Sequence, residues 1–401
     1  MKKFPVLDRR RVIQSTRNFS IVHNTTPTLS MSAKADSAIQ ETTTSQRLQE
    51  RNILIEPVPI CVTMGVFAAR DLPSRELNIM FAATDPNLPP KVQGGQKLKP
   101  YLVLSLLLAA SVSSSPLRAE SGVWTDSLLG KIRIAANMVP GMLPRSVHVL
   151  RMAPQDVPLS AVIDGGGNER FRGTYSVYQI RFEDGWIMVD AGIDTDTIAA
   201  RGPSKAGATT IPEEKYELIQ RALVGARSIV VTHEHDDHVA GVIRSSARDV
   251  IAPKTLLTRA QIQTLIEHPN NPAIRLEESW SNKYCIFDYD LLYPLAPGVV
   301  LIKAPGHTPG SQMVYVHLAS GKEILLIGDI TWAMAGIEQR RQKTEGASKA
   351  LGEDRAAIQT EIEWLHNVMR KLNLVNCHDD DAIAAKIREG VLEDGLDLRR
   401  P

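Results

Sequence analysis

From about Ser146 onward the chain alternates between apolar and polar positions in short runs. Val147–Leu150 and Tyr175–Phe182 (YSVYQIRF) repeat with period 2, the signature of half-buried strands. Asp184-Gly185 predicts a two-residue hairpin turn into Trp186–Val189, a strand closed by Asp190-Ala191-Gly192. Ser228–Val231 is a short, mostly apolar run and reads as a buried strand. Val299–Lys303, Met313–Val316 and Ile324–Ile327 predict further strands. Helical spacing intervenes, most clearly over Glu353–Leu372, where Ile358, Ile362, Leu365, Met369 and Leu372 share one face. Its first turn is acidic (Glu353, Asp354) and its last basic (Arg370, Lys371), which suits the helix dipole. Early hairpins followed by strand–helix alternation predict an α/β domain, with helices covering the sheets, over residues 146–401.

The preceding residues have a different texture. Residues 1–96 form an irregular extension with no sustained period. Met1–Arg51 is rich in Ser, Thr and Arg, and Thr84–Pro100 has the prolines and Gly-Gly pair of a linker. Lys2, Lys3 and Arg9–Arg11 suggest a transit peptide, but Asp8 and the lack of an amphipathic helix argue against one. Within residues 97–119, Lys97 and Lys99 precede the apolar run Tyr101–Val112, and Leu117-Arg118-Ala119 follows. That is the order of a secretory signal peptide. The run falls short of the roughly 18 apolar residues that span a bilayer, and a buried helix is the alternative. A signal so far from Met1 leads us to expect initiation nearer Val92 and a mature chain starting near Glu120. The protein is then periplasmic or secreted, and cytoplasmic if the run is not a signal. Residues 120–145 read as a linker.

Composition narrows the chemistry. Of 401 residues, 43% are apolar and 23% charged, and 46 basic residues against 45 acidic ones leave a formal charge of +1. Nucleic-acid binders carry a basic excess that is missing here. Cys61, Cys285 and Cys377 are scattered, so neither a disulfide framework nor a thiolate zinc site is expected. The ten histidines are more informative. Directly after the buried strand comes Thr232-His233-Glu234-His235-Asp236-Asp237-His238, with three imidazoles and a key carboxylate in H-x-H-x-D-H spacing. In an extended loop, residues i and i+2 point to the same side, so His233 and His235 can grip one metal. Once the chain turns, Asp237 and His238 can face a second. Imidazole with carboxylate suits Zn²⁺ or a similar divalent ion.

This motif resembles that of the metallo-β-lactamase superfamily, and the resemblance extends over about residues 146–395. Pro305-Gly306-His307-Thr308-Pro309-Gly310-Ser311 is similar to the family's third motif, Gly328-Asp329 to its fourth and His378 to its fifth. Asp190 in Val-Asp-Ala-Gly matches the first. The resemblance implies a four-layer αβ/βα sandwich. It also implies two divalent metal ions, zinc foremost: one held by His233, His235 and His307, the other by Asp237, His238 and His378, with Asp329 bridging. A zinc-bound hydroxide would be the nucleophile, oriented by Asp237. Asp190 is expected to support a ligand by hydrogen bonding. Glu234 and Asp236 are expected to point outward or cap the following turn, Cys377 to be a buried thiol turned away, and Gly165–Gly167 to be a loop. His23, His148, His268, His317 and His366 are expected to be surface or satisfied residues.

Within the superfamily the layout is most similar to the lactonase-like and organophosphate-hydrolase-like branch, because Asp329 supplies the bridge that the third subclass of true β-lactamases lacks. Two departures stand out. Trp332 replaces the tyrosine that acyl-homoserine lactonases carry, and Asn376-Cys377 stands where the family has a glycine before its last histidine. We therefore expect hydrolysis of an ester- or lactone-type small molecule. A β-lactam and an organophosphate or aryl ester are the alternatives, and a mononuclear iron persulfide dioxygenase is a rival of another class. Trp332, Met334, Trp280 and Tyr284 are the expected mouth residues. No nucleic-acid partner and no stable membrane span are expected, and oligomeric state is left open.

Overall fold

The computed structural model describes residues 122–202 and 209–399. The extension 1–96, the signal-like segment 97–119 and His23 lie outside the described residues. β1 (Ser146–Pro158) and β2 (Arg170–Phe182) form a long antiparallel hairpin that continues into β3 (Gly185–Val189). The tight turn is Glu183-Asp184, one residue earlier than expected. Gly185 opens β3 at φ 149°, a value that excludes most side chains. β4 (Ser228–Val230), β5 (Thr255–Thr258) and β6 (Cys285–Phe287) add in parallel. β7 (Leu292–Ala296), β8 (Val299–Lys303), β9 (Gln312–His317) and β10 (Glu323–Leu326) form an antiparallel meander. β11 (Asn373–Val375) then joins β10, and β12 (Glu393–Asp394) joins β1. One sheet has seven strands in the order β12-β1-β2-β3-β4-β5-β6, and the other has five in the order β11-β10-β9-β8-β7.

Period-2 alternation sorts the side chains into layers. Val147 and Val149 of β1, with Ile187 and Val189 of β3, meet Leu301, Val314, Val316 and Leu326 of the smaller sheet. Their neighbours Leu150, Met152, Trp186 and Met188 face the other way, against Ile219, Leu223, Val239 and Val242 from the helices Glu213–Gly225 and Asp236–Ile243. The outer face of the smaller sheet, including Val300, Ile302, Tyr315 and Leu325, is covered by the helices Leu128–Ala136 and Arg355–Val368. The result is the expected four-layer αβ/βα sandwich. Strands buried on both faces explain runs such as Trp186–Val189, with no polar side at all.

Two boundaries move. Residues 120–145 are more than a linker, because the helix Leu128–Ala136 buries Leu128, Leu129 and Ile132 in the small-sheet core. A nine-residue helix is marginal alone and owes its stability to that sheet, so its own pattern gave little signal. The helix expected from Glu353 begins at Arg355, where Asp354 caps it by accepting from the Ala356 and Ala357 amides. Glu353 is left free for another task.

Candidate metal centre

The chain leaves β4 through a fully buried loop. Asp190, at the end of β3, has φ 66°, which is uncommon for a residue with a side chain. Its carboxylate accepts from Thr232 N (2.7 Å) and Thr232 Oγ1 (2.9 Å), and lies 2.9 Å from His238 Nδ1. Those bonds hold the strained backbone and turn His238 Nε2 the other way. The helix Asp236–Ile243 starts inside the histidine motif and packs tightly on the Asp190 loop. A Cβ at Gly241 would lie 2.0 Å from the Ala191 carbonyl oxygen, so only glycine permits this approach.

All seven sequence-predicted ligands converge. The ligand atoms of His233, His235 and His307 lie within 4.8 Å of one another, as do those of Asp237, His238 and His378. Asp329, following β10, lies among them. Its Oδ2 is 2.9 Å from His378 Nε2, 3.7 Å from His307 Nε2 and 3.8 Å from His233 Nε2, while Oδ1 is 3.4 Å from His238 Nε2. His307 Nε2 is 3.0 Å from His235 Nδ1. The outward nitrogens are tied down as well: His378 Nδ1 donates to the Thr174 carbonyl (2.8 Å) and His307 Nδ1 to Glu353 Oε1 (2.6 Å). Such bonds fix the tautomer and the ring plane.

Electrostatics divides the histidines. Burial pushes His233 and His235 below the usual imidazole range, and burial followed by the Lys343 charge takes His307 to about 4. Burial also opposes charge on His238, yet Asp329, Asp190 and Asp237 together hold it well above that range. Asp329 is kept well below the carboxylate range by His378, His238 and His233 against the effect of burial. Even so, His233 Nε2, His238 Nε2 and Asp329 Oδ1 are buried and make no hydrogen bond among the described residues, the last two facing each other at 3.4 Å. Native proteins rarely leave buried polar atoms unpaired, and nitrogen and oxygen donors facing one centre fit a divalent metal ion.

Several supporting residues depart from expectation. Glu234 and Asp236 point inward rather than outward. Glu234 accepts from Thr308 Oγ1 (2.8 Å) and Gly310 N (3.3 Å), tying the β4 loop to the His307 loop. Asp236 is clamped by Arg201 Nε (2.8 Å) and Nη2 (2.6 Å) and by Asn271 Nδ2 (2.7 Å). Charge made both look exposed, and the partners that bury them are remote in sequence. Cys377 is buried but not turned away, since its Sγ lies 3.7 Å from Asp190 Oδ2. Trp280 and Tyr284 are not mouth residues: Arg248 stacks 4.0 Å over Trp280 and donates to Tyr284 Oη, with Tyr284 inside the outer-helix core and Trp280 packed against it. Met334 packs on the small-sheet core. Trp332 does reach the centre, its Nε1 donating to Asp329 Oδ2 at 2.9 Å. His148 and His366 are satisfied by the carbonyls of Gly395 and Ile337. Arg201 and Lys343 have no motif of their own in the sequence, and Glu353 read there only as a first-turn acid.

Residues 170–341 match the family model of the metallo-beta-lactamase superfamily. These residues form a domain of that superfamily. No curated protein matches the sequence significantly. Among solved structures the metallo-beta-lactamase domain is similar to an N-acyl homoserine lactone hydrolase with N-hexanoyl-L-homoserine bound at its catalytic metal centre. That pair shares 17% identity and a TM-score of 0.47, over 61% of this chain and 97% of that one. A quorum-quenching N-acyl homoserine lactone lactonase aligns at 16% and 0.46, over 60% and 95%. A probable metal-dependent hydrolase from Staphylococcus aureus aligns at 15% and 0.46, over 60% and 91%. Glu353 and His378 lie beyond the span matched by the family model.

Proposed function

We propose that the domain is a dinuclear metal-dependent hydrolase of ester or lactone substrates, with zinc as its metal. The observation that carries this reading is the trio of buried, unpartnered atoms: His233 Nε2, His238 Nε2 and Asp329 Oδ1. A buried polar atom without a hydrogen bond costs about 1–3 kcal/mol, so imidazole and carboxylate atoms crowded unbonded at one centre call for a shared partner. His233, His235 and His307 would hold one ion, and Asp237, His238 and His378 the other, with Asp329 between them. Bound there, the ions supply Lewis acidity, lowering the pKa of water to near neutral and polarising the substrate oxygen.

The chain's own residues set the conditions. Glu353, Asp190 and the Thr174 carbonyl orient the His307, His238 and His378 rings. Asp237, with its second oxygen 3.6 Å from His378 Nε2, can accept a proton at the centre. With two carboxylates, Asp237 and Asp329, among seven donors, the site would keep a net positive charge once loaded and would favour negative charge developing on the substrate. Beside it the Trp332 indole, 6.3 Å from the His378 ring, joins the apolar cluster of Val162, Ile163 and Phe171. Trp332, half-buried against that core, is the one of these residues with an apolar face to offer an acyl or aryl group.

Protein purified without chelators should contain close to two equivalents of zinc and hydrolyse lactones or aryl esters. Asp329→Ala should lose one equivalent and about 100-fold or more of the activity. A single tightly bound iron without hydrolysis would replace this reading with the dioxygenase. Turnover of β-lactams alone, or of phosphotriesters alone, in a screen that includes lactones would move the substrate class.

A further inference from the structure

Behind the proposed ligands lies a buried ion pair that neither the family motifs nor the reaction calls for. The Lys343 side chain is 0% exposed and that of Glu353 1%, and Nζ lies 2.7 Å from Oε1. We propose that Lys343 and Glu353 act as one positioning device, setting His307 and Asp329 together for metal binding. This rests on the dinuclear reading above.

The geometry runs in two directions from one ammonium group. Toward His307, the Glu353 oxygen bonded to Lys343 is the same Oε1 that accepts from His307 Nδ1 at 2.6 Å. A neutral imidazole has one N–H. With that proton held at Nδ1, the Nε2 lone pair is left facing His235 and the proposed metal. Toward Asp329, Lys343 Nζ donates to the main-chain oxygen at 2.5 Å and approaches the Ile330 carbonyl at 3.4 Å. It also lies 5.1 Å from the Trp332 ring centre, which fills the remaining side of the ammonium.

Lys343 sits between the helices Met334–Gln339 and Glu345–Leu351. Arg355 Nη1 fixes its carbonyl at 3.0 Å, and Gln342 Nε2 reaches the Arg355 carbonyl at 3.0 Å, so this loop is fastened to the helix Arg355–Val368. A carboxylate buried beside His307 without a cation would be unfavourable by several kcal/mol. The lysine lets it stay there as an acceptor. Neither side chain is exposed enough to meet a substrate, which separates this role from a catalytic one.

Stepwise metal titration of the full chain decides the matter, with zinc competed against a chromogenic chelator and Co²⁺ absorption reporting ligand geometry. Glu353→Gln should weaken the equivalent held by His307 by about 10–100-fold, and Lys343→Met, which also releases Asp329, should weaken both equivalents. The double variant should regain the part of the loss that comes from the unpaired charge, because an amide oxygen still accepts from His307 Nδ1, while the part carried by the Lys343 bond to the Asp329 carbonyl stays lost. Wild-type affinity for both equivalents in folded single variants would overturn the proposal, as would a double variant no better than the weaker single. Should the single variants fail to fold, Lys343→Arg serves instead. A shifted Co²⁺ spectrum with one weakened equivalent supports positioning, whereas an unmoved spectrum and affinity make the pair merely structural. Wild-type protein that binds fewer than two equivalents would defeat the dinuclear reading itself, an outcome distinct from the others.

Discussion

Glu361 offers a test of the energetics that does not depend on turnover. It lies on the inner face of the helix Arg355–Val368, wholly buried, with Oε1 accepting from the Gly306 amide at 3.2 Å and Oε2 making no hydrogen bond among the described residues. Burial raises its pKa from 4.5 to about 8 in spite of the Gly306 N–H. The folded chain therefore keeps a proton that the unfolded chain releases between these two values. A raised folded-state pKa contributes stability that is fully present below about pH 4.5 and is lost as pH rises through about 8. At 1.36 kcal/mol per unit the full span amounts to about 5 kcal/mol, and relaxation around the carboxylate should reduce it to roughly 2–3 kcal/mol. Glu361→Gln keeps the acceptor for Gly306 and never ionises. Urea unfolding at pH 5, 6, 7 and 8, on chelator-treated protein to remove the pH dependence of metal binding, should show the variant and wild type close at pH 5. The variant should then gain about 2–3 kcal/mol over wild type by pH 8. A difference that stays constant across that range would refute the assignment of a buried neutral carboxyl.

Two further outcomes follow from the centre and its supports. Arg201→Met strands the buried Asp236 on amide donors alone and should lower stability by about 3 kcal/mol, read as a fall in thermal midpoint; an unchanged midpoint would show that the clamp carries no energy. Trp332→Tyr should raise lactone hydrolysis relative to wild type if the position faces substrate, whereas Trp332→Phe, which drops the bond to Asp329, should lower it; equal rates in all three proteins would remove Trp332 from the site.

Much of this molecule is legible in its sequence. Hydrophobic patterning identified β1 to β4 and β8 to β10, because alternation follows locally from burying one face and a continuous apolar run from burying both. The first four ligands sit within six residues, so their proximity is local too. His307, Asp329 and His378 became candidates through resemblance to a family's motifs, since nothing nearby in the sequence marks them. The helix Leu128–Ala136 was hidden because its stability comes from a sheet more than 150 residues further on.

What tertiary structure alone decided is how the charged residues are used. Glu234, Asp236, Arg201, Lys343 and Glu353 look like ordinary surface residues in sequence, and the burial of each rests on partners from other segments. The Glu353 that seemed to serve a helix dipole instead orients His307, 46 residues away. Trp280 and Tyr284, aromatic and near a loop, proved to be core packed around Arg248. The physical reason is the same in each case. Periodicity and propensity report how a residue meets its chain neighbours and the solvent. The energy that permits a buried charge lies in one partner at a particular distance, and that distance exists only after the sheets and helices have packed.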